Sequence, residues 1–242
     1  MADYLGYDFI DAASVIVFNA DGSLNSQRTN TRISEITKEH PYAVIPGFYG
    51  SYDDEKVITF SRGGSDITGA LVAEAACADL YENWTDVSGF LMASPTLIPN
   101  AEKVDCMCYR ELLQLCQFGA QVFHADAITP LCETDIPTHI RNTNLPEQTG
   151  TMIYRELPTA FRNKSFVCGI AVEDTDLNST DDTVLLHLIG YDLSSVRSIV
   201  VRALHNASIE SLLIKENTND LVFRIKKQQI TEAAAAVYSA LT

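Results

Sequence analysis

Ser61-Arg62-Gly63-Gly64-Ser65-Asp66 joins an apolar run at residues 57–60 to an Ala- and Leu-rich run at residues 67–80. The first run is predicted to be a strand and the second a buried helix, with Ser65 as its cap and Asp66 in its first turn. The two glycines permit close backbone approaches that a Cβ would block. Such a helix N-terminus can receive an anion, and Arg62 beside it can grip a carboxylate with two hydrogen bonds. The same residues are equally compatible with a capped strand–turn–helix connection that binds nothing.

A second polar turn, Trp84-Thr85-Asp86-Val87-Ser88-Gly89, follows a predicted strand at residues 81–85. In a parallel α/β sheet, ligands bind beyond the carboxyl ends of the strands, so Thr85 and Asp86 are candidates for contacts with a nucleotide. Asp, Ser and Gly also favour turns for purely conformational reasons. The chain has neither a Walker A motif nor a G-x-G-x-x-G fingerprint, so the sequence favours neither a P-loop nor a Rossmann protein.

Strands and helices are predicted to alternate along the first two thirds of the chain. The predicted strands are residues 15–18, 42–45, 57–60, 81–85, 138–141 and 151–154, and the predicted helices are residues 25–38, 67–80, 109–118 and 124–133. This alternation is typical of an α/β fold with a mostly parallel sheet flanked by helices.

The character of the chain changes after about residue 154, where an acidic loop without Lys or Arg occupies residues 173–182. The elements predicted beyond it are strands at residues 183–189, 208–214 and 221–225 and helices at residues 194–206 and 231–241. This order predicts a small α+β unit of ferredoxin-like type, with residues 166–172 as a possible extra strand.

Composition excludes several classes of protein. The net charge of the 242 residues is −15, which disfavours nucleic acid and anionic membrane surfaces as partners. No apolar run reaches the roughly 18–20 residues of a membrane span, and the first residues do not resemble a signal peptide. The six cysteines lack a disulfide framework, which favours the cytosol. No second Cys or His pair lies at zinc-site spacing from Cys106 and Cys108, so no metal-ligating residues are predicted.

Several motifs together resemble the aspartokinases. Pro46-Gly47-Phe48-Tyr49-Gly50-Ser51, Arg62-Gly63-Gly64-Ser65-Asp66 and Thr85-Asp86-Val87-Ser88-Gly89 are similar to three successive motifs of that family, and Phe118-Gly119-Ala120 with His124 resembles a fourth. The resemblance covers roughly residues 4–154. It implies part of an amino-acid-kinase (carbamate-kinase-like) domain at residues 1–155, a connection at 156–182, and an ACT-like regulatory domain at 183–242.

The resemblance also implies an activity and its residues. The family transfers the γ-phosphoryl of ATP, with Mg²⁺, to the β-carboxylate of L-aspartate in the cytoplasm, the first step of lysine, threonine and methionine biosynthesis. It implies that Phe48, Arg62, Gly64 and Ser65 bind aspartate and that Asp66 is catalytic, contacting the substrate ammonium or orienting catalytic lysines. The residues implied along the nucleotide are Thr85, Asp86, Gly89, Leu91 and Gln121.

The chain also departs from the family pattern. The Lys-x-Gly-Gly loop with which aspartokinases begin is not found, so the chain is expected to be the C-terminal part of a kinase. Gln121, Thr96 and Leu91 stand where many members carry Lys, Arg and an aromatic residue. The first two positions therefore bring no charge to the nucleotide site.

The resemblance further suggests regulation and assembly. The loop at residues 190–195 is expected either to bind an amino-acid effector, lysine or threonine, or to be a capped helix start without a ligand. The residues predicted to contact an effector are Asp192, Leu193, Ser194 and Ser195. A homodimer or association with a full-length subunit is expected. The alternatives to an aspartate kinase are a non-catalytic regulatory subunit that binds an effector and another amino-acid kinase, of the glutamate or uridylate type.

Overall fold

The computed structural model describes residues 1–53, 56–118, 125–162, 165–174 and 182–242. The α-helices are α1 Ala2–Leu5, α2 Ala12–Val15, α3 Ser26–Glu39, α4 Gly64–Ala75, α5 Tyr109–Gln117, α6 Ala125–Cys132, α7 Thr159–Arg162, α8 Val196–Asn206 and α9 Ile230–Leu241. The strands are β1 Asp8–Phe9, β2 Ala43–Val44, β3 Tyr49–Tyr52, β4 Lys56–Thr59, β5 Tyr81–Thr85, β6 Cys106–Cys108, β7 Thr138–Asn142, β8 Thr151–Tyr154, β9 Phe166–Asp174, β10 Thr183–Tyr191, β11 Ser211–Asn217 and β12 Asp220–Lys226. None of the helices among these residues is long and apolar enough to cross a membrane.

The chain forms two compact units, and the first contains residues 1–83 with the described part of 123–139. In it, β1 and β2 pair in parallel, while β3 and β4 form an antiparallel pair. Helix α4 packs against both α3 and α6. The rings of Phe18 and Phe60 lie 5.1 Å apart in its core.

Residues 15–18 were predicted to be a strand, and the structure corrects this. Val15 is the last residue of α2: the Asp11 side chain caps the start of that helix by accepting a hydrogen bond from the Ala13 amide at 2.9 Å, and Ile16 follows its end in an extended conformation. Val17 and Phe18 are extended but make only isolated bridges. Their burial was predicted correctly, since a short apolar run indicates burial but does not distinguish a helix from a strand.

Strand β4 was predicted at residues 57–60, but its antiparallel partner β3 was not predicted. Gly50 in β3 packs so tightly against Ile16 that a Cβ would collide with the Ile16 side chain at 2.6 Å. A strand containing Gly, Ser and two Tyr lacks the apolar alternation that indicates a strand in a sequence. The mostly parallel arrangement predicted for this region therefore has an antiparallel exception.

Two predicted boundaries are wrong because the chain turns at left-handed residues. The helix predicted at residues 67–80 ends at Ala75, and Cys77 follows with φ 49°. The strand predicted at residues 208–214 begins only at Ser211, because Ser208 has φ 57° and the amide of Ile209 bonds back to the Leu204 carbonyl of α8. Such C-terminal turns satisfy the last carbonyls of a helix.

The second compact unit contains the described parts of residues 84–122 and 140–242. Its first sheet has the strand order β5-β7-β8-β6. Only the carboxyl-terminal residues of β5 and β7 belong to this unit. Strand β6, which was not predicted, pairs in parallel with β8. All three residues of β6 are buried, so this strand has no polar alternation.

The second sheet of this unit is antiparallel and has the order β11-β12-β10-β9. The connection β10-α8-β11 skips a place that β12 fills, which is the split arrangement of ferredoxin-like folds. The possible extra strand at residues 166–172 is confirmed as β9, which occupies the edge beside β10. The predicted α+β unit is therefore present.

Helices cover both faces of this antiparallel sheet. Val184, Leu186 and Leu188 of β10 belong to a core that also contains residues of α8 and α9. On the other face, α5 packs closely, because a Cβ on Gly169 would collide with the Leu115 side chain. The Phe118 ring lies 4.2 Å from the imidazole of His187, centroid to centroid.

A small polar cluster on the α5 side of the sheet contains the buried His187 and Asp220 and the exposed Glu173 and Lys215. His187 Nε2 lies 3.0 Å from Glu173 Oε2, and His187 Nδ1 lies 3.7 Å from Asp220 Oδ1. Lys215 donates to Asp220 Oδ2 at 2.8 Å. Burial of the Asp220 carboxyl opposes its ionisation, but His187 and Lys215 together outweigh that effect and lower its pKa below 3.8.

Replacing Asp220 by asparagine is expected to lower the free energy of unfolding by about 1.5–3 kcal/mol at pH 7, the usual size of a lost hydrogen bond to a charged group. A lowered carboxyl pKa adds stability above the pKa of the unfolded chain, and this contribution disappears as the pH falls through the folded pKa. Urea denaturation of the wild type and Asp220→Asn should therefore differ at pH 7, and the difference should shrink as the pH falls below about 4 and through the lowered pKa of Asp220. A difference that stays constant down to pH 2 would contradict an ionised Asp220.

Candidate active site

The first turn of α4 carries the predicted substrate residues. Gly63 is the N-cap in the left-handed conformation, with φ 62°, and no side chain caps the helix. Ser65, predicted to be the cap, lies instead in the first turn and is exposed. The cap prediction was wrong because the left-handed turn at Gly63 starts the helix two residues earlier.

Phe48 and Gly64 are packed against each other. A Cβ on Gly64 would lie 2.7 Å from Phe48 Cδ2 and 2.9 Å from Phe48 Cα, so only glycine fits. Phe48 itself has φ 85°, a conformation that is costly for a residue with a Cβ. Two hydrogen bonds hold it: its amide donates to Thr68 Oγ1 at 3.2 Å, and its carbonyl accepts from the Phe60 amide at 3.0 Å. The strained residue is 44% exposed, so its ring is available to a ligand.

Asp66 is oriented by a neighbour that the sequence did not identify. Its Oδ1 accepts a hydrogen bond from Asn83 Nδ2 at 2.9 Å, and the same amide donates to the Tyr81 hydroxyl at 3.0 Å. Burial, opposed by the Asn83 hydrogen bond and assisted by the nearby Asp66 charge, raises the pKa of Tyr81 to about 12. The phenol is therefore neutral at physiological pH. Polar residues at alternate positions of β5 were the available sequence signal.

Arg62 stands beside this turn as a cation that can receive a ligand. Its side chain is exposed, and it makes no hydrogen bond or ion pair with any other residue in the described ranges. Amide groups of a helix first turn and a guanidinium both favour a carboxylate, while the Asp66 carboxylate favours an ammonium. These groups together suit the two charged ends of an α-amino acid.

The second unit contains a pocket of about 800 Å³, within the usual range for small-molecule sites. Three residues predicted to contact the nucleotide line it, namely Asp86, Gly89 and Leu91. Thr85 lies next to it and donates to Asp86 Oδ1 at 3.2 Å. Gln121, with the Gly119–His124 part of the fourth motif, lies outside the described residues.

Gly89 is fixed by its surroundings. Its φ is 113°, and a Cβ there would collide with Thr151 Oγ1 and lie 3.2 Å from the carbonyl carbon of Gly150. Thr151 Oγ1 accepts from the Phe90 amide at 3.0 Å and donates to the Val104 carbonyl at 2.6 Å. Residues distant in sequence thus place the backbone of this loop.

The opposite wall of the pocket comes from the antiparallel sheet. Ile170, Ala171 and Val172 of β9 line it together with Phe118. The Ile170 amide donates to the Met92 carbonyl at 2.6 Å, so the loop after Leu91 runs beside β9 as a further extended segment. Lys103 also lines the pocket. The sequence analysis identified neither Lys103 nor β9 as part of a site.

A sequence profile of the Amino acid kinase family matches residues 2–142, which is more than half of the chain. The chain belongs to the amino acid kinase family.

Two curated relatives of this amino acid kinase are aspartokinases. Aspartokinase 3 of Bacillus subtilis (strain 168) is 44% identical over 110 residues, which make up 46% of this chain and 24% of that protein. Lysine-sensitive aspartokinase 3 of Escherichia coli (strain K12) is 31% identical over 176 residues, 72% of this chain and 37% of that protein. The chain therefore spans well under half the length of either relative.

Solved structures of aspartate kinases share the fold. The Clostridium acetobutylicum enzyme matches with a TM-score of 0.85 and 28% identity, over 100% of this chain and 72% of that one. Escherichia coli aspartokinase III in complex with aspartate and ADP matches with a TM-score of 0.70 at 19% identity, over 97% of this chain and 69% of that one. The predicted fold class, α/β followed by a small α+β unit, is confirmed.

The predicted effector loop of this amino acid kinase has mixed exposure. Leu193 is fully buried in the core between the antiparallel sheet and α8, and its amide donates to the Thr218 carbonyl at 2.7 Å. Ser194 and Ser195 are exposed, and Ser194 donates to Asp192 Oδ1 at 2.6 Å. Helix α8 begins at Val196, two residues later than predicted. An effector here would meet the two serines and Asp192 rather than the Leu193 side chain.

Proposed function

We propose that this chain is part of an aspartate kinase that transfers the γ-phosphoryl of ATP to the β-carboxylate of L-aspartate, the first step of lysine, threonine and methionine biosynthesis. The observation that carries the proposal is the first turn of α4, where Arg62 and Asp66 offer opposite charges beside the strained Phe48. Aspartokinase names among the relatives support the same substrate.

The proposed roles follow from the chemistry of each group. Arg62 binds the α-carboxylate of aspartate with two hydrogen bonds, Gly64 and Ser65 contribute first-turn amides, and Asp66 contacts the ammonium. Phe48 covers the apolar part of the substrate. Because Asn83 fixes one oxygen of Asp66, the other oxygen remains available to the substrate.

The pocket of the second unit is proposed to hold ATP. Thr85, Asp86, Gly89 and Leu91 lie along the nucleotide, and Gln121 is proposed to donate a neutral hydrogen bond. Mg²⁺ usually takes one or two carboxylates together with substrate phosphates, and the Asp86 carboxylate at the pocket fits that need. The described residues contain no group of three acids, cysteines or histidines that would hold a metal ion alone. When bound, the ion would neutralise charge on the phosphates.

The reaction needs positioning more than covalent catalysis. An oxygen of the β-carboxylate attacks the γ-phosphorus in line, the bond from that phosphorus to the bridging oxygen breaks, and ADP leaves with the electron pair. The product is an acyl phosphate. Arg62 and Asp66 orient the nucleophile by holding the two charged groups at the other end of the aspartate.

Regulation and assembly are proposed for the same protein. The antiparallel sheet is proposed to be an ACT-like domain that binds lysine or threonine at Asp192, Ser194 and Ser195, with Leu193 supporting the loop from the core. A relative with the name lysine-sensitive aspartokinase favours lysine. A homodimer or a complex with a full-length subunit in the cytoplasm completes the proposal.

The test of function combines trapping and binding. Aspartyl phosphate formed from ATP and L-aspartate reacts with hydroxylamine to a hydroxamate, which is expected with L-aspartate and not with L-glutamate. Calorimetry should show saturable binding of L-aspartate to the 242-residue chain. Absence of aspartate binding by the chain, which carries the proposed site at Arg62 and Asp66, would contradict aspartate as the substrate. Heat on adding lysine or threonine tests the regulatory site separately.

A further inference from the structure

One cation faces the proposed nucleotide pocket. Among the described residues that line it, Lys103 is the single Lys or Arg and Asp86 the single acid. We propose that Lys103 is a nucleotide-binding residue whose ammonium contacts the phosphates. This inference rests on the proposed function and adds to it a residue outside the motifs that resemble the family.

The Lys103 ammonium is held in place by two oxygens. It donates to the Gly150 carbonyl at 2.6 Å and to Asp105 Oδ1 at 2.6 Å. The Lys103 side chain is 24% exposed, whereas that of Asp105 is 82% exposed. An ammonium has three donors, so these two contacts leave one donor for a ligand.

Lys103 lies at the glycine-rich end of the pocket. Gly150, which accepts a hydrogen bond from the ammonium, lies so near Gly89 that a Cβ on Gly89 would be 3.2 Å from the Gly150 carbonyl carbon. Lys103 also forms a bridge with Leu91 across the loop. Glycine backbone beside a cation is the usual surrounding of bound phosphate, because amide groups and the charge can reach the same oxygens.

The end of the loop at residues 89–93 that lies beside β9 is suited to contact the base of the nucleotide. The segment from Gly89 to Ala93 begins against Gly150 and ends beside Ile170 of β9, where Phe118 and Val172 also line the pocket. The apolar side chains of Ile170, Val172 and Phe118 can cover a purine ring. A nucleotide with its phosphates at Lys103 would therefore place its base toward Ile170 of β9.

The negative charge of a polyphosphate favours its replacing Asp105 as a partner of the Lys103 ammonium. The Asp105 carboxylate is largely solvated, so it can give up the ammonium and remain hydrated. A polyphosphate carries several negative charges and competes well for the same ammonium. Lys103 supplies positive charge in a chain with a net charge of −15, where Gln121 and Thr96 supply none.

The test measures ATP and adenosine binding by calorimetry to the 242-residue chain. Lys103→Met is expected to weaken ATP binding by about 10-fold or more, the size of one lost charged hydrogen bond, and to leave adenosine binding unchanged. Lys103→Arg should retain ATP affinity to within about 3-fold, because the charge remains. Lys226→Met is the matched control: this lysine pairs with the exposed Glu210 on the surface, so ATP affinity should not change.

Asp105→Asn provides a second variant, which keeps Lys103 and its contact with the Gly150 carbonyl and removes the charge of its other partner. Removing the competing carboxylate should leave ATP affinity equal or higher, and weaker ATP binding would overturn the proposal. Equal ATP affinity of the wild type and Lys103→Met would overturn the role of Lys103 and leave the nucleotide pocket standing. Equal loss of ATP and adenosine binding in Lys103→Met would show a structural role and also overturn it. No ATP binding by the wild type would overturn the proposed function, and the role of Lys103 with it.

Discussion

Arg62→Ala is expected to weaken L-aspartate binding by about 10–100-fold, because a hydrogen bond between charged groups contributes about 1.5–3 kcal/mol. The exposed guanidinium has no partner among the described residues to replace, so its full set of donors is available to the substrate carboxylate. The affinity for ATP, whose proposed pocket lies in the other unit, should change little. Calorimetry with each substrate in turn measures both effects.

Arg62→Lys and Arg202→Ala serve as controls for the effect of Arg62→Ala on aspartate binding. Arg62→Lys keeps the charge but loses the planar pair of donors, so an intermediate aspartate affinity is expected. Arg202→Ala removes an exposed arginine from α8 and should leave aspartate binding unchanged. Unchanged aspartate affinity in Arg62→Ala would mean that the carboxylate binds elsewhere.

Glu111→Ala is expected to cost about 2–4 kcal/mol of unfolding free energy, the largest effect on stability predicted here. The Glu111 carboxylate is fully buried at the start of α5. It accepts from the Cys108 amide at 2.7 Å, from Arg110 Nη2 at 2.7 Å and from Asn219 Nδ2 at 3.4 Å. Alanine leaves the Cys108 amide without its acceptor and opens a cavity between α5 and the antiparallel sheet. Urea denaturation followed by circular dichroism measures the loss.

Two further variants separate burial from charge. Glu111→Gln keeps the shape and an acceptor oxygen, so its cost should be smaller than that of alanine. Glu216→Ala breaks an exposed pair with Arg197 at 3.2 Å and should cost less than about 1 kcal/mol. Equal costs for Glu111→Ala and Glu216→Ala would contradict a structural role for the buried carboxylate.

The substrate-side turn was largely predictable because its requirements are local. A left-handed residue before a helix requires glycine, and Gly63 meets that requirement. Arg62 and Asp66 flank the same turn, so their proximity follows from the chain itself. Asn83 was missed because nothing local relates it to Asp66, which lies 17 positions away.

The pocket of the second unit was less predictable from the sequence. The family resemblance implied Asp86, Gly89 and Leu91 in one loop, and these residues line the pocket. Lys103 and Ile170 come to this loop only through pairing of segments that are distant in sequence. No local sequence pattern predicts that the antiparallel sheet forms a wall of the pocket.

The sequence by itself determined the α/β class, the later α+β unit and the turn at Arg62–Asp66, because periodicity, glycines and capping residues act within a few positions. Tertiary structure alone decided that Phe48 is strained against Gly64, that Asn83 orients Asp66, and that Lys103 faces the pocket. These contacts join segments that are far apart in sequence, and their geometry depends on the packing of the whole unit rather than on any local preference.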